Sequence, residues 1–172
     1  MKLTVQNLTR VALFAALTAL LSQLMLPLGL VPVSLGTLGV MLCGALLPPR
    51  PAFCSQLAYL LLGAVGLPVF AGFGSGLGWL AGPTGGYLLA YPLMAAAIAR
   101  LGRPRGRLPL WAALLCGLAV CYGLGSLWLV CFGGKSTAAA LYIGVLPFIP
   151  LDLAKAALAA LLAKRLRPAL GQ

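Results

Sequence analysis

Pro150-Leu151-Asp152-Leu153-Ala154-Lys155-Ala156-Ala157-Leu158-Ala159-Ala160-Leu161-Leu162-Ala163-Lys164-Arg165-Leu166-Arg167 is an apolar run opened by a proline and closed by a cluster of cations. Its length approaches the roughly 20 residues a helix needs to cross the hydrocarbon of a bilayer. Proline suits a helix's first turn, where its missing N–H is not needed. Lys and Arg gather at the cytoplasmic ends of spans. The run therefore reads as a membrane helix over 150–166 with its C-terminal end in the cytoplasm. Two charges lie inside it. Asp152 is the only acidic residue of the chain, and Lys155 follows at i+3, on the same helix face. About 12 residues separate Asp152 from Lys164, so at 1.5 Å per residue the acid lies roughly 18 Å above the cytoplasmic cations, in the outer half of the membrane. An isolated Asp or Lys at mid-membrane costs about 2.5–3.5 kcal/mol on insertion scales.

The rest of the chain has the same character. Of its 172 residues 62% are hydrophobic and 8% are charged, against roughly 25% charged in soluble domains. The fold class is an all-α membrane protein, one integral membrane domain over 1–172. Six spans are predicted, at about 8–28, 33–47, 52–67, 85–101, 110–132 and 150–166. Lys2 and Arg10 ahead of an apolar run resemble a signal peptide, but the run continues without a small-x-small cleavage site and reads as the first span. With both termini cytoplasmic, Lys2, Arg10, Arg50, Arg100, Arg103, Arg105, Arg107, Lys164, Arg165 and Arg167 all lie inside. The outer segments hold only Lys135, and the remaining cation, Lys155, lies within a span. Removing or adding one span scatters these cations across both sides, so the asymmetry supports six. It also explains the net charge of +11 without nucleic acid, because the cations sit in short clusters between apolar runs.

Several chemistries are excluded. The chain has no His, and its five cysteines form no C-x-x-C, so no metal site is expected and the thiols read as small hydrophobes. One carboxylate cannot make an acid dyad, and a serine hydrolase built on His has no base here. Gly134-Lys135-Ser136 imitates the end of a P-loop, but Leu129 stands where that motif requires its first glycine. The protein is therefore read as neither an enzyme nor an ATPase, and no cofactor is expected.

Three features remain that bear on function. The Asp152–Lys155 pair is either a first-turn acid bridged to its neighbour at a helix N-terminus or the polar part of a ligand pocket open to the outside. In the first span Ala12/Ala16 and Ala15/Ala19 are small-xxx-small pairs, which let another helix approach closely. The segment 68–84 is rich in glycine, a composition tolerated at membrane depth only against protein or a cavity. Trp79, Tyr87 and Tyr91 surround it, as an interfacial belt or, for Trp79 and Tyr87, as part of a lid over an apolar ligand.

Gly66-Leu67-Pro68-Val69-Phe70-Ala71-Gly72, Gly82-Pro83-Thr84-Gly85-Gly86-Tyr87 and Gly144-Val145-Leu146-Pro147-Phe148-Ile149-Pro150-Leu151-Asp152-Leu153-Ala154-Lys155 resemble the biotin transporter family BioY. The likeness runs from about Ala12 to Arg167. It implies the biotin-binding S component of an energy-coupling factor (ECF) transporter, a multi-pass protein of the bacterial cell membrane with lipid around its six helices. Its expected partners are biotin, a membrane-embedded T subunit and A-type ATPase subunits that supply the ATP hydrolysis. Transport by toppling of this subunit in the membrane is also implied, as is a first-helix face of Ala12, Ala16 and Ala19 against the T subunit. The family's helix-six acid and lysine map onto Asp152 and Lys155. Ser34, Thr37, Ser75, Trp79, Thr84 and Tyr87 complete the expected substrate-binding set. Three positions depart from the family's pattern: Gly36, where a Gln is usual; Gly74, where a polar or basic residue is frequent; and Leu151, where a Gly usually precedes the aspartate. Ser34, Thr37 or Ser75 is expected to compensate for the first two. A solitary, homo-oligomeric biotin transporter without the ATPases and an S component for another small vitamin are the alternative readings.

Overall fold

A computed structural model describes residues 5–26, 33–102 and 108–168. The predicted end of the first span at 27–28 lies outside the described residues, as do Lys2, Arg103, Arg105 and Arg107. In chain order the elements are α1 (Val5–Gln23), β1 (Met25–Leu26), β2 (Val33–Ser34), α2 (Gly36–Leu46), α3 (Pro49–Ala64), a 3-10 turn (Ala71–Phe73), α4 (Leu77–Ala81), α5 (Gly85–Leu101), α6 (Leu110–Cys131), α7 (Thr137–Gly144) and α8 (Ile149–Leu166). Each predicted apolar segment carries a helix. By length and apolarity α1 and α6 each suffice to cross a membrane, and α7 with α8, bent by 52° at their junction, pass together. Asp152, Lys155, Lys164 and Arg165 make α8 by itself too charged for that test.

The second segment differs most from expectation. Its helix begins at Gly36 rather than 33 and has 11 residues, about 16 Å of rise against a hydrocarbon core of about 30 Å. The residues before it pair as an antiparallel ribbon, Met25 with Ser34 and Leu26 with Val33, and Leu35 N–H donates to Leu24 O at 2.9 Å. Extended backbone in an apolar setting needs such partners, because lipid offers none. The two long connections are also partly helical. One holds the 3-10 turn and α4; the other holds α7, whose first turn is capped by Ser136 Oγ accepting from Ala139 N–H at 3.3 Å. The P-loop imitation at Gly134-Lys135-Ser136 is thus a helix start.

Proline sets several boundaries. Pro48 and Pro49 close α2 and open α3, Pro109 precedes α6 and Pro150 lies in the first turn of α8. At the centre α5 packs against α2, α3 and α6, while α1 packs on α2 and α3, and α8 on α2 and α6. Met41, Tyr59, Met94, Ile98 and Leu114 are fully enclosed. The outer face is apolar too: Leu13, Leu20, Leu61, Leu127 and Leu161 are exposed. Helices apolar on both faces suit a lipid surround. At the opposite end of α8 from Asp152, Arg167 Nη2 donates to Ala45 O at 3.2 Å and Gly102 O at 2.9 Å, tying the ends of α2, α5 and α8 together.

Candidate functional site

The first turn of α8 places Asp152 and Lys155 against α2 and α6 rather than outward. Both are buried, 1% and 6% exposed. Lys155 Nζ lies 2.8 Å from Asp152 Oδ1. It also donates to Ser34 O at 2.7 Å and Thr37 Oγ1 at 3.0 Å. Thr37 Oγ1 in turn donates to Asp152 Oδ1 at 3.1 Å, and Tyr122 of α6 donates to Asp152 Oδ2 at 2.7 Å. Removing one partner of such a pair leaves an uncompensated buried charge, at a cost of about 3–5 kcal/mol. The carboxylate also sits at the N-terminal end of α8, where the helix dipole favours negative charge.

This cluster forms one wall of a two-part chamber. The polar part, about 380 Å³ of non-protein space, is lined by Ser34, Thr37, Tyr87, Tyr91, Cys121, Tyr122, Gly144, Phe148, Asp152 and Lys155. The aromatic part, about 400 Å³, is lined by Ser22, Ser34, Tyr59, Phe70, Ala71, Trp79, Thr84, Tyr87, Leu88 and Tyr91. Ser34, Tyr87 and Tyr91 belong to both. Tyr59 stands edge-on to Phe70, with ring centroids 5.6 Å apart, and lies nearly parallel to Tyr91 at 6.2 Å. Tyr87 Oη is anchored on Gly144 O at 2.9 Å, and Tyr59 Oη is 3.0 Å from Ser22 Oγ. The result is a set of held rings beside one ion pair.

The structure brings Asp152, Lys155, Ser34, Thr37, Trp79, Thr84 and Tyr87 to the walls of this chamber. Ser75 is half-buried in the loop before α4 and lines neither part. Ser22, Tyr59, Phe70, Tyr91, Cys121, Tyr122 and Phe148 join the walls without having been assigned to a site from the sequence. A signal existed for Tyr59 and Tyr122, since a phenol inside an apolar run needs a hydrogen-bond partner.

Two family departures have structural counterparts. A Cβ at Gly36 lies 2.5 Å from Ser22 Oγ and 3.1 Å from Ser34 Oγ, so those serines occupy the room a larger residue requires. A Cβ at Gly74 runs into the indole of Trp79, so the ring covers the place of a loop side chain.

On α1, Phe14, Ala15, Thr18 and Ser22 face inward. Ala12 and Ala16 are exposed and Ala19 is half-buried. Of the two small-residue pairs, Ala12/Ala16 therefore lies on the outer face. Ala15 packs in the core, so Ala15/Ala19 is not an open surface, because Ala15 lies on the helix face that meets α2 and α3.

Comparison with known proteins places this geometry. The model of the BioY family matches residues 1–172. A probable biotin transporter BioY of Pyrococcus horikoshii is 46% identical over 157 residues, 91% of this chain and 93% of that protein. The biotin transporter BioY of Thermotoga maritima is 36% identical over 163 residues, 94% of this chain and 96% of that protein. A crystal structure of the S-component for biotin from an ECF-type ABC transporter superposes with a TM-score of 0.82 at 31% identity, covering 95% of this chain and 92% of that one.

Proposed function

Because this chain belongs to the BioY family, we propose that it captures biotin as the S component of an ECF transporter and is not an enzyme. The observation that carries this reading is the buried Asp152–Lys155 pair set beside the aromatic box of Tyr59, Phe70, Tyr91 and Trp79. Biotin is a compact bicycle with two ureido N–H donors, one carbonyl and an acid tail. Its flat apolar body suits held rings, and its N–H groups suit a carboxylate in a dry pocket, where an unmatched polar group is costly. Ser34 and Tyr87 contribute at the junction of the two parts, Thr37 in the polar part, and Trp79 and Thr84 in the aromatic part.

The remaining assignments follow from this one. The six helices of 11 or more residues cross the cell membrane, α2 together with its ribbon and α8 together with α7. Both termini are cytoplasmic, on the positive-inside rule, and the chamber opens outward. The exposed Ala12 and Ala16, with Ala19 at the edge, form the seam for the T subunit, because small side chains let helix backbones approach. ATP is hydrolysed by A-type subunits.

Calorimetric titration of the purified protein in detergent tests the substrate. We expect biotin to bind below micromolar concentration; failure to bind at that level defeats the reading.

A further inference from the structure

We propose that Gln56 is a positioning residue that links the ligand chamber to the partner seam on α1: it fixes the rotation of α1, and through the same two helix faces biotin in the chamber tightens docking of the T subunit. This rests on the reading of the chain as an S component and deepens it, by naming how one site biases the other.

Each hydroxyl on the inner face of α1 spends its proton on its own helix. Thr18 Oγ1 donates to Phe14 O at 2.8 Å and Ser22 Oγ donates to Thr18 O at 2.8 Å. A hydroxyl has one proton, so toward α3 both can only accept. Gln56 Nε2 lies 3.1 Å from Thr18 Oγ1, and Tyr59 Oη lies 3.0 Å from Ser22 Oγ, so both groups of α3 are the donors. Gln56 and Tyr59 are spaced i, i+3 on α3, and Thr18 and Ser22 are spaced i, i+4 on α1, so each pair shares a helix face. Two bonds one turn apart set both the rotation and the height of α1 against α3. Ser55 Oγ, donating to Val11 O at 2.9 Å, adds a third point nearer the start of α1. From α2 the same residue is held by close packing: a Cβ at Gly39 would lie 2.9 Å from Thr18 Cα and Oγ1.

One of these bonds belongs to the chamber. Ser22 and Tyr59 line its aromatic part, where Tyr59 lies against Phe70 and Tyr91. The other bond orients the alanines. Ala16 is two residues from Thr18, about 200° around a helix of 3.6 residues per turn, so holding Thr18 on Gln56 turns Ala16 outward. A ligand that holds Tyr59 in place also holds α1 in the rotation that the T subunit meets. Ordering that two binding events share makes them cooperative. Gln56 itself lines neither part of the chamber, and a hydrogen bond between helices in hydrocarbon adds only modest stability. Its removal therefore separates the link from both the ligand contacts and the fold.

The test measures docking of the T subunit, with its A subunits, to the full-length chain in lipid nanodiscs, with and without saturating biotin. Biotin is expected to tighten docking of the wild-type chain at least about fivefold, the lower end of ordinary coupling between sites. Gln56→Met, which keeps the volume and removes the donor, is expected to bind biotin by itself within about twofold of wild type. In that variant the biotin enhancement of docking is expected to fall below about twofold. Thr18→Val removes the same bond from the α1 side and is expected to lose the enhancement too; it decides alone if Gln56→Met does not fold. Equal wild-type docking with and without biotin overturns the proposal and leaves the S-component reading standing. An enhancement that survives in either folded variant also overturns it, even where docking itself is weaker, since a merely structural role lowers both measurements equally. A wild-type chain that binds no biotin, or no T subunit, sinks the S-component reading and the proposal together.

Discussion

Asp152 is held by three donors, from Lys155, Thr37 and Tyr122. Asp152→Asn keeps the shape, removes the charge and puts an NH₂ donor where an acceptor stood. Hydrogen bonds to charged groups are worth about 1.5–3 kcal/mol, so biotin affinity is expected to fall about 10- to 100-fold. Titration of the purified variant checks this, with size-exclusion behaviour as the control for folding. Unchanged affinity reduces Asp152 to a helix-start acid. The presence of an acid and a lysine on one helix face was legible from their i, i+3 spacing. Their partners were not, because Thr37 and Tyr122 lie 115 and 30 residues away from Asp152 in the chain and only packing selects them. Ser75 shows the converse: a polar residue in the right segment that the loop carries away from the chamber.

At the scale of elements, α1 carries two different faces. Thr18 and Ser22 face inward, where Thr18 Oγ1 accepts from Gln56 of α3 at 3.1 Å and Ser22 meets Tyr59 at 3.0 Å. Ala12 and Ala16 face outward. The inner face helps build the chamber wall, and the outer one carries the small side chains of Ala12 and Ala16 beside exposed Leu13 and Leu20. Ala16→Trp is therefore expected to leave biotin binding within about twofold, as surface changes usually do, and to abolish copurification with the T subunit. Retained copurification places the T subunit elsewhere. The alanine spacing was readable in the sequence. Which of two overlapping pairs faced outward was not, since it depends on the rotation of α1 about its axis, and that is set by the polar contacts with α3. The ribbon ahead of α2 was equally hidden: Val33 and Ser34 continue an apolar run, and only pairing with Met25 and Leu26 keeps them out of the helix.

For the whole molecule, the issue is orientation. The chain's cations fall almost entirely on one side of the proposed topology, with Lys135 the exception among the connections. In a variant with its five cysteines replaced, Lys135→Cys is expected to react with a membrane-impermeant maleimide on intact cells. Arg50→Cys is expected to react only after permeabilisation. The opposite pattern inverts the molecule and closes the chamber to outside biotin. On the proposed topology the two ends of α8 have different tasks: Asp152 lies at the chamber end, and Lys164 and Arg165 lie at the end assigned to the cytoplasmic interface.

The sequence by itself determined the class, because a chain with one acid and 62% hydrophobic residues has no soluble solution. It also located the six longer helices to within a few residues, though not α4 and α7, since apolar runs and prolines act locally, and it marked Asp152 and Lys155, since charge among apolar neighbours is conspicuous. Only the tertiary structure decided the site. The aromatic box of Tyr59, Phe70 and Tyr91 comes from segments that are separate in the chain, and nothing in the sequence says that these rings meet. The allocation of each proton among Lys155, Thr37, Tyr122 and Asp152 was settled the same way. Hydrogen bonds depend on distance and direction between atoms, and those are properties of packed helices rather than of a string of residues.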